Sequence, residues 1–143
     1  YYQPLDPNVL PNLYLAYKTD LSKVSGQVFN NLKERYNKGE PEAVETLEEI
    51  ASLADSGKEA IENRDYRKLH ELVNENFDLR SKILNISKEN REMVEIARKC
   101  GASAKFSGSG GAIVGTYEDD DMLRRLMIRL KRVNARVIKP YIL

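Results

Sequence analysis

The 143 residues carry 23 Lys and Arg against 22 Asp and Glu, a formal charge of +1, with 41% apolar residues and one cysteine. That length suits one domain with a real core, and the near-neutral charge excludes a global field aimed at nucleic acid or an anionic membrane. A lone cysteine excludes an intrachain disulfide; with no apolar run long enough for a bilayer and no signal-like start, the expectation is a cytoplasmic protein that meets neither membrane nor nucleic acid.

Pro4, Pro7 and Pro11 predict an extended lead-in over residues 1–12, because each proline fixes φ and biases its predecessor away from the helical region. The opening YYQPLDPNVLPN, without an initiator methionine, is what a piece of a longer chain would show. Leu13 to Tyr17 then reads as a short buried strand. From about Ser22 the spacing of Val24, Val28, Leu32 and Tyr36 predicts a helix, broken at Lys38-Gly39-Glu40-Pro41. A second helix starts at Pro41, with an inward stripe of Val44, Leu47, Ala51, Ala54 and Ile61 and a glutamate-rich solvated side. Asp65 caps a third, whose inward positions are Tyr66, Leu69, Val73, Asn76, Phe77, Arg80, Ile83 and Leu84; Ser87 caps a fourth, with Met93, Ile96, Ala97 and Cys100 inward and Gly101 at its left-handed end. Beyond it come a strand over Ala102–Phe106, a glycine turn over Ser107–Gly111 and a strand over Ala112–Tyr117. A helix then follows Asp119-Asp120-Asp121, bearing Leu123, Leu126, Met127 and Leu130, and Val133–Ile138 closes as a strand. The fold class is α+β: a β-α-β-β-α-β order, ferredoxin-like, with an antiparallel sheet and extra helices inserted in the first crossover.

The chemistry concentrates in residues 101–115, which hold five of the eight glycines. In Ser107-Gly108-Ser109-Gly110-Gly111, successive glycines let amide N–H groups turn inward together and let a phosphate approach the main chain, as in an anion-binding nest. A mobile hairpin turn is the competing reading. No Gly-Lys-Ser/Thr ending is present and a strand, not a helix, follows, so neither a Walker A loop nor a dinucleotide fingerprint fits. Asn76 and Arg80 lie one turn apart on an apolar face, where a guanidinium needs either an internal carboxylate or a ligand's carboxylate or phosphate. Lys105 precedes the turn, and Tyr14 and Tyr17 either line a sugar site or simply pack. His70 lacks metal-ligand neighbours, so no metal site is expected, and Cys100 reads as a core residue. The basic segment Arg124 to Lys139 lacks the strand aromatics an RNA-binding sheet would need.

The run Gly101-Ala102, then Ala104-Lys105-Phe106-Ser107-Gly108-Ser109-Gly110-Gly111-Ala112, resembles the third sequence motif of the GHMP small-molecule kinases. Ala51–Gly57, Leu72–Arg80, Met93–Arg98 and Leu10–Leu15 extend that resemblance over nearly the whole chain, towards the C-terminal domain of the plant-type glucuronokinases. The resemblance implies a single C-terminal domain, residues 1–143, of a two-domain phosphotransferase that uses ATP and Mg²⁺. That enzyme would move the γ-phosphate onto the anomeric hydroxyl of D-glucuronate, giving glucuronate 1-phosphate for UDP-glucuronate biosynthesis. It implies that the nucleotide loop and catalytic residues sit in an N-terminal domain outside this chain, leaving the chain inactive alone. Ser107 to Gly111 would contact nucleotide phosphates, and Lys105, Arg80, Asn76, Tyr14 and Tyr17 the sugar acid. The alternative is a non-enzymatic ferredoxin-like module that binds a small anion or a regulatory partner.

Overall fold

The computed structural model describes residues 4–19, 26–108 and 111–141, those of 26–30 by backbone alone. Ser22, Val24, Ser109 and Gly110 therefore lie outside the described residues, as does the side chain of Val28. Four strands, β1 (Leu13–Lys18), β2 (Lys105–Phe106), β3 (Ala112–Thr116) and β4 (Ala135–Ile138), form one antiparallel sheet in the order β2-β3-β1-β4. Leu13 faces Thr116 at one end of the central pair and Tyr17 faces Ala112 at the other. Five helices complete the fold: α1 (Gly26–Asn37), α2 (Pro41–Glu62), α3 (Tyr66–Ile83), α4 (Lys88–Lys99) and α5 (Asp120–Lys131). The first crossover holds four of them, as the sequence predicts. The lead-in is less extended than expected: Pro7–Val9 make a single 3₁₀ turn because the Asp6 side chain accepts from the Asn8 amide.

The alternation of β1 turns Tyr14 and Ala16 towards the helices, where they join Ile113, Phe106, Phe77, Met93, Val94, Ala97, Leu126 and Leu130 in one core. Met93, Val94 and Ala97 follow helical spacing on α4, and each large apolar side chain so buried contributes about 1.5–3 kcal/mol. α4 ends as expected: Gly101 has φ +95°, and the amides of Gly101 and Ala102 return to the carbonyls of Arg98 and Ala97, closing a Schellman motif. Asp65, Ser87 and Asp119 cap α3, α4 and α5 through side-chain oxygens.

Four expectations need correction. The inward side of α2 is not the Val44, Leu47, Ala51, Ala54 stripe: Ala43, Thr46 and Ala60 are buried, while Ala51 and Ala54 are exposed. α2 lies along α3, and small side chains let it approach; a Cβ on Gly57 would stand 4.0 Å from Leu69 Cδ1. On α3, Leu72 and Leu79 are buried in addition to the expected set, because this helix is covered by α2 on one side and by the sheet on the other. Strand β2 is two residues long rather than five. The Ala104 amide is taken by the Asn74 carboxamide, and the Ser103 amide goes to the Thr116 carbonyl, so the ladder starts only at Lys105. Likewise β4 starts at Ala135, after Asn134 takes a left-handed φ of 62°.

Candidate functional site

The glycine turn closes the β2–β3 hairpin. The Ser107 amide donates to the Ala112 carbonyl at 3.0 Å, and Gly108 and Gly111 hold φ of +130° and +79°, a region that side-chain-bearing residues rarely enter. A Cβ built on either would meet nothing within 4 Å, so it is the backbone angle, not lack of room, that requires glycine. The Gly111 amide points inward and donates to Asn90 Oδ1 at 3.2 Å, while its carbonyl accepts from the Lys18 amide at 3.0 Å. Both ends of the turn are thereby fixed to the domain, Ser107 within the hairpin and Gly111 to α4 and β1. Of the turn residues described, Gly111 has its amide committed to Asn90 and Ser107 its amide committed to the hairpin.

Helix α3 runs alongside β2 in the same direction. Asn74 meets the Ala104 amide at 3.0 Å, and Phe77 meets Phe106 edge-on with ring centroids 5.3 Å apart. Arg80, one turn on from Asn76, lies close enough to Lys105 for its charge to act on that ammonium. The Arg80 Nε and the Asn76 Oδ1 are buried with no hydrogen-bond partner, and neither Arg80 nor Lys105 belongs to an ion pair among the described residues. Burial, then the nearby Arg80 charge, lowers the pKa of the half-buried Lys105, whose ammonium donates to the Phe106 carbonyl at 3.0 Å. Arg98, packed over the Phe77 ring, differs in its terminal nitrogens, which meet Asp78 at 2.9 Å and the Asn74 carbonyl at 2.9 Å, while its Nε, like that of Arg80, is buried without a partner. Two cations side by side without a carboxylate are unfavourable unless an anion completes them.

The predicted residues therefore divide. Arg80 and Lys105 lie within reach of each other's charge, Asn76 stands one turn before Arg80 on α3, and Tyr17, half-buried, pairs with Ala112 beside the turn. Tyr14 does not belong: it is 0% exposed, its hydroxyl donates to the Ser103 carbonyl at 2.7 Å, and burial pushes its pKa up, so it is a core residue and not a sugar contact. Ser103, with Thr116, and Gly115 seal the same spot. The Ser103 hydroxyl lies 2.7 Å from that of Thr116, and a Cβ on Gly115 would collide with the Ser103 carbonyl at 1.8 Å. The sequence reading missed Asn74 and Asn90. Asn90 stands at the head of the Met93, Val94, Ala97 stripe at i, i+3, i+4 and i+7, and an amide in an apolar stripe was the available signal. A cavity of about 620 Å³ opens at the opposite end of β3, between the lead-in and the start of α3, lined by Asn12, Tyr66, Arg67, His70, Tyr117 and Glu118 among others.

The family profile described as GHMP kinases C terminal matches residues 58–132, more than half of the chain. Over 142 residues, 97% of this chain, the sequence is 44% identical to probable glucuronokinase 2 of Arabidopsis thaliana, and over 116 residues, 79% of the chain, it is 41% identical to glucuronokinase 1 of the same plant. The chain spans 38% and 32% of the lengths of those two relatives. Among solved structures, mevalonate kinase of L. major superposes with a TM-score of 0.77 at 20% identity, over 92% of this chain and 44% of that one. Streptococcus pneumoniae phosphomevalonate kinase gives 0.73 at 19%, over 89% and 39%; these likenesses concern the fold. The turn and its surroundings thus lie within the matched segment, and the chain belongs to the GHMP kinases, as a C-terminal domain of that family.

Proposed function

We propose that this chain is the C-terminal half-site of an ATP-dependent sugar-acid 1-kinase, which passes the γ-phosphoryl group of ATP to the anomeric hydroxyl of D-glucuronate and yields glucuronate 1-phosphate. The observation that carries the reading is the pair Arg80 and Lys105, two cations without a carboxylate partner among the described residues, set beside a turn of glycines. The 44% identity to a relative named as a glucuronokinase supports a sugar acid as the substrate class.

Phosphoryl transfer asks mainly for position and for donors around the phosphate oxygens, with little covalent work for the protein. Gly108, Ser109 and Gly110 offer backbone amides and Ser107 a hydroxyl to the phosphates. Arg80, a planar fork suited to a carboxylate, holds the acid group with Lys105 and Asn76, while Tyr17 edges the sugar. Mg²⁺ bound with the nucleotide supplies neutralisation of charge on the phosphates. Among the described residues no three His, Cys, Asp or Glu side chains gather as a metal site. We assign the metal's protein ligands, the main nucleotide loop and the group that activates the sugar hydroxyl to an N-terminal domain outside this chain. Such a kinase would act in the cytoplasm and feed UDP-glucuronate formation.

The test uses the full-length protein with ATP, Mg²⁺ and glucuronate, galacturonate or glucose, following ADP release and the sugar 1-phosphate by phosphorus NMR. Turnover with glucuronate, and none from the 143 residues alone, is expected. ADP release with no sugar acid sinks the reading, and tight binding of a small anion without turnover favours the non-enzymatic module instead.

A further inference from the structure

The cavity at the Leu13–Thr116 end of the sheet has walls that are tied to one another by hydrogen bonds. One wall is the lead-in, pinned where the Tyr66 hydroxyl donates to the Val9 carbonyl at 2.6 Å. It is pinned again at Asn12, whose carboxamide donates to the Glu118 carbonyl at 3.1 Å and whose own carbonyl accepts from the Tyr117 amide at 3.1 Å. The second wall is the start of α3, where Tyr66 and His70 at i and i+4 share one side of the helix. Thr116, Tyr117 and Glu118, running out of β3, form the third. The space between them, about 620 Å³, falls among small-molecule sites, which span about 300–1,000 Å³. Flat apolar surface comes from Pro11 and the rings of Tyr66 and Tyr117, and the charged side chains are Arg67 and Glu118 alone. Neither of these two belongs to an ion pair among the described residues. The Asn74 Nδ2, 3.4 Å from the His70 Nε2, can only donate, so the proton of this imidazole sits on Nδ1. Tyr117, 6% exposed, keeps a buried hydroxyl with no hydrogen-bond partner.

Ring faces, one cation and one carboxylate in a single cavity narrow the chemistry of an occupant. An inorganic anion would use Arg67 and leave the rings idle. A sugar acid, hydroxylated at nearly every carbon, would meet too much ring surface and too few polar partners. A planar heterocycle with N–H groups, joined to a ribose and one phosphate, uses all three features. We propose that this cavity is a binding site for a nucleoside monophosphate, with the base against the tyrosine rings, base N–H or ribose hydroxyl groups donating to Glu118, and the phosphate on Arg67. The site stands whether or not the chain serves a sugar-acid kinase. Leu13 and Tyr17, at the two ends of β1, are four residues apart, about 13 Å at about 3.3 Å per residue, so Arg80 near the Tyr17 end is the internal control.

The experiment titrates uridine monophosphate and adenosine monophosphate into the full-length protein by calorimetry, with uridine, adenosine and inorganic phosphate as the separate halves of each probe. At least one monophosphate binds about tenfold or more tightly than its nucleoside, and phosphate alone binds more weakly than either. Arg67 is exposed and makes no ion pair among the described residues, so Arg67→Glu keeps the fold. That variant loses the advantage of monophosphate over nucleoside and still binds the nucleoside within about twofold of wild type. Arg80→Gln leaves monophosphate affinity within about twofold. Three results overturn the proposal: neither monophosphate binding at about millimolar concentration, phosphate alone binding as tightly as the monophosphates, or a monophosphate affinity that survives Arg67→Glu. Binding that disappears in Arg80→Gln instead also overturns it, because the nucleotide then sits at the hairpin end. A protein that phosphorylates no sugar acid yet shows the Arg67 pattern loses the kinase reading and keeps this site.

Discussion

The two ends of the β1–β3 pair are built from the same strands and treat polar groups in opposite ways. At the Leu13–Thr116 end, Tyr14, Ser103 and Thr116 saturate one another inside the core, and Gly115 is bare because the Ser103 carbonyl occupies the space of a side chain. At the Tyr17–Ala112 end, Arg80 and Asn76 keep buried atoms without partners and Lys105 is crowded by a second cation. Both arrangements are buried polar chemistry, and among the described residues each leaves a buried atom without a hydrogen-bond partner, the Tyr117 hydroxyl at the first and Asn76 Oδ1 and Arg80 Nε at the second; what sets the second apart is that two cations meet there without a carboxylate. A fold tolerates a saturated network for its stability, whereas an incomplete one costs free energy until something external satisfies it. The two uncompensated cations, more than the presence of glycine, are the ground for proposing that the hairpin seats an anion.

Substitutions can break the contrast from either side. Gly115→Val has the largest expected effect: with a Cβ placed 1.8 Å from the Ser103 carbonyl, the strand cannot keep its register, and a loss above about 4 kcal/mol in urea unfolding is expected. If that variant unfolds like wild type, the sealed end is not as tight as described. Arg80→Gln attacks the open end. The KM for the sugar acid rises roughly ten- to a hundredfold, as for loss of a charge-assisted pair, while stability holds or rises, since an uncompensated guanidinium has been removed. A fall in stability with KM unchanged would return Arg80 to a structural role. Tyr14→Phe leaves the Ser103 carbonyl without its donor and costs about 1–2 kcal/mol in unfolding, with no change in either KM; a shifted sugar KM contradicts the core assignment.

The smallest effect is one of pH. Lys105 has its pKa lowered in the free domain, and a bound anion restores it towards the ordinary lysine range. Anion affinity is therefore fully present while Lys105 is protonated and declines as pH rises through the free-state pKa, the bound form taking up a proton. Linkage also gives the opposite slope for the unliganded fold. The unfolded chain holds that proton to higher pH than the native one, so stability rises with pH across the interval between the native and the ordinary lysine pKa. Lys105→Met removes both slopes, and their persistence in that variant would assign them to another group.

The order of elements was legible because caps and periodicity are local. Asp65, Ser87 and Asp119 announce helix starts, Gly101 announces an end, and the apolar spacing of α4 names its inner face; on α5 Leu126 and Leu130 are buried as expected, but Met127 is 49% exposed and Met122, outside the expected set, is buried instead. The face of α2 was not legible, because what it buries is decided by α3: Ala43 and Ala60 go inward since small residues allow close approach, a preference that hydrophobicity ranks below Val44 and Leu47. At the site, the turn and Arg80 stood out as glycine density and as a charge in an apolar stripe. Tyr14 was misplaced because an aromatic on a central strand gives no sign of which face it takes. Asn74 and Asn90 act across 30 and 21 residues, a pairing that no local pattern encodes.

Helix α3 touches both ends of this comparison. Its first residue, Tyr66, donates its hydroxyl to the Val9 carbonyl of the lead-in at 2.6 Å, and Arg80 stands about 21 Å further along the same rod at 1.5 Å per residue. A helix resists compression, so the segment entering the domain and the cation at the hairpin are separated by a fixed ruler. Any tilt of that ruler moves both at once, like the two pans of a balance, and hydrogen exchange along α3 would register a load placed on either.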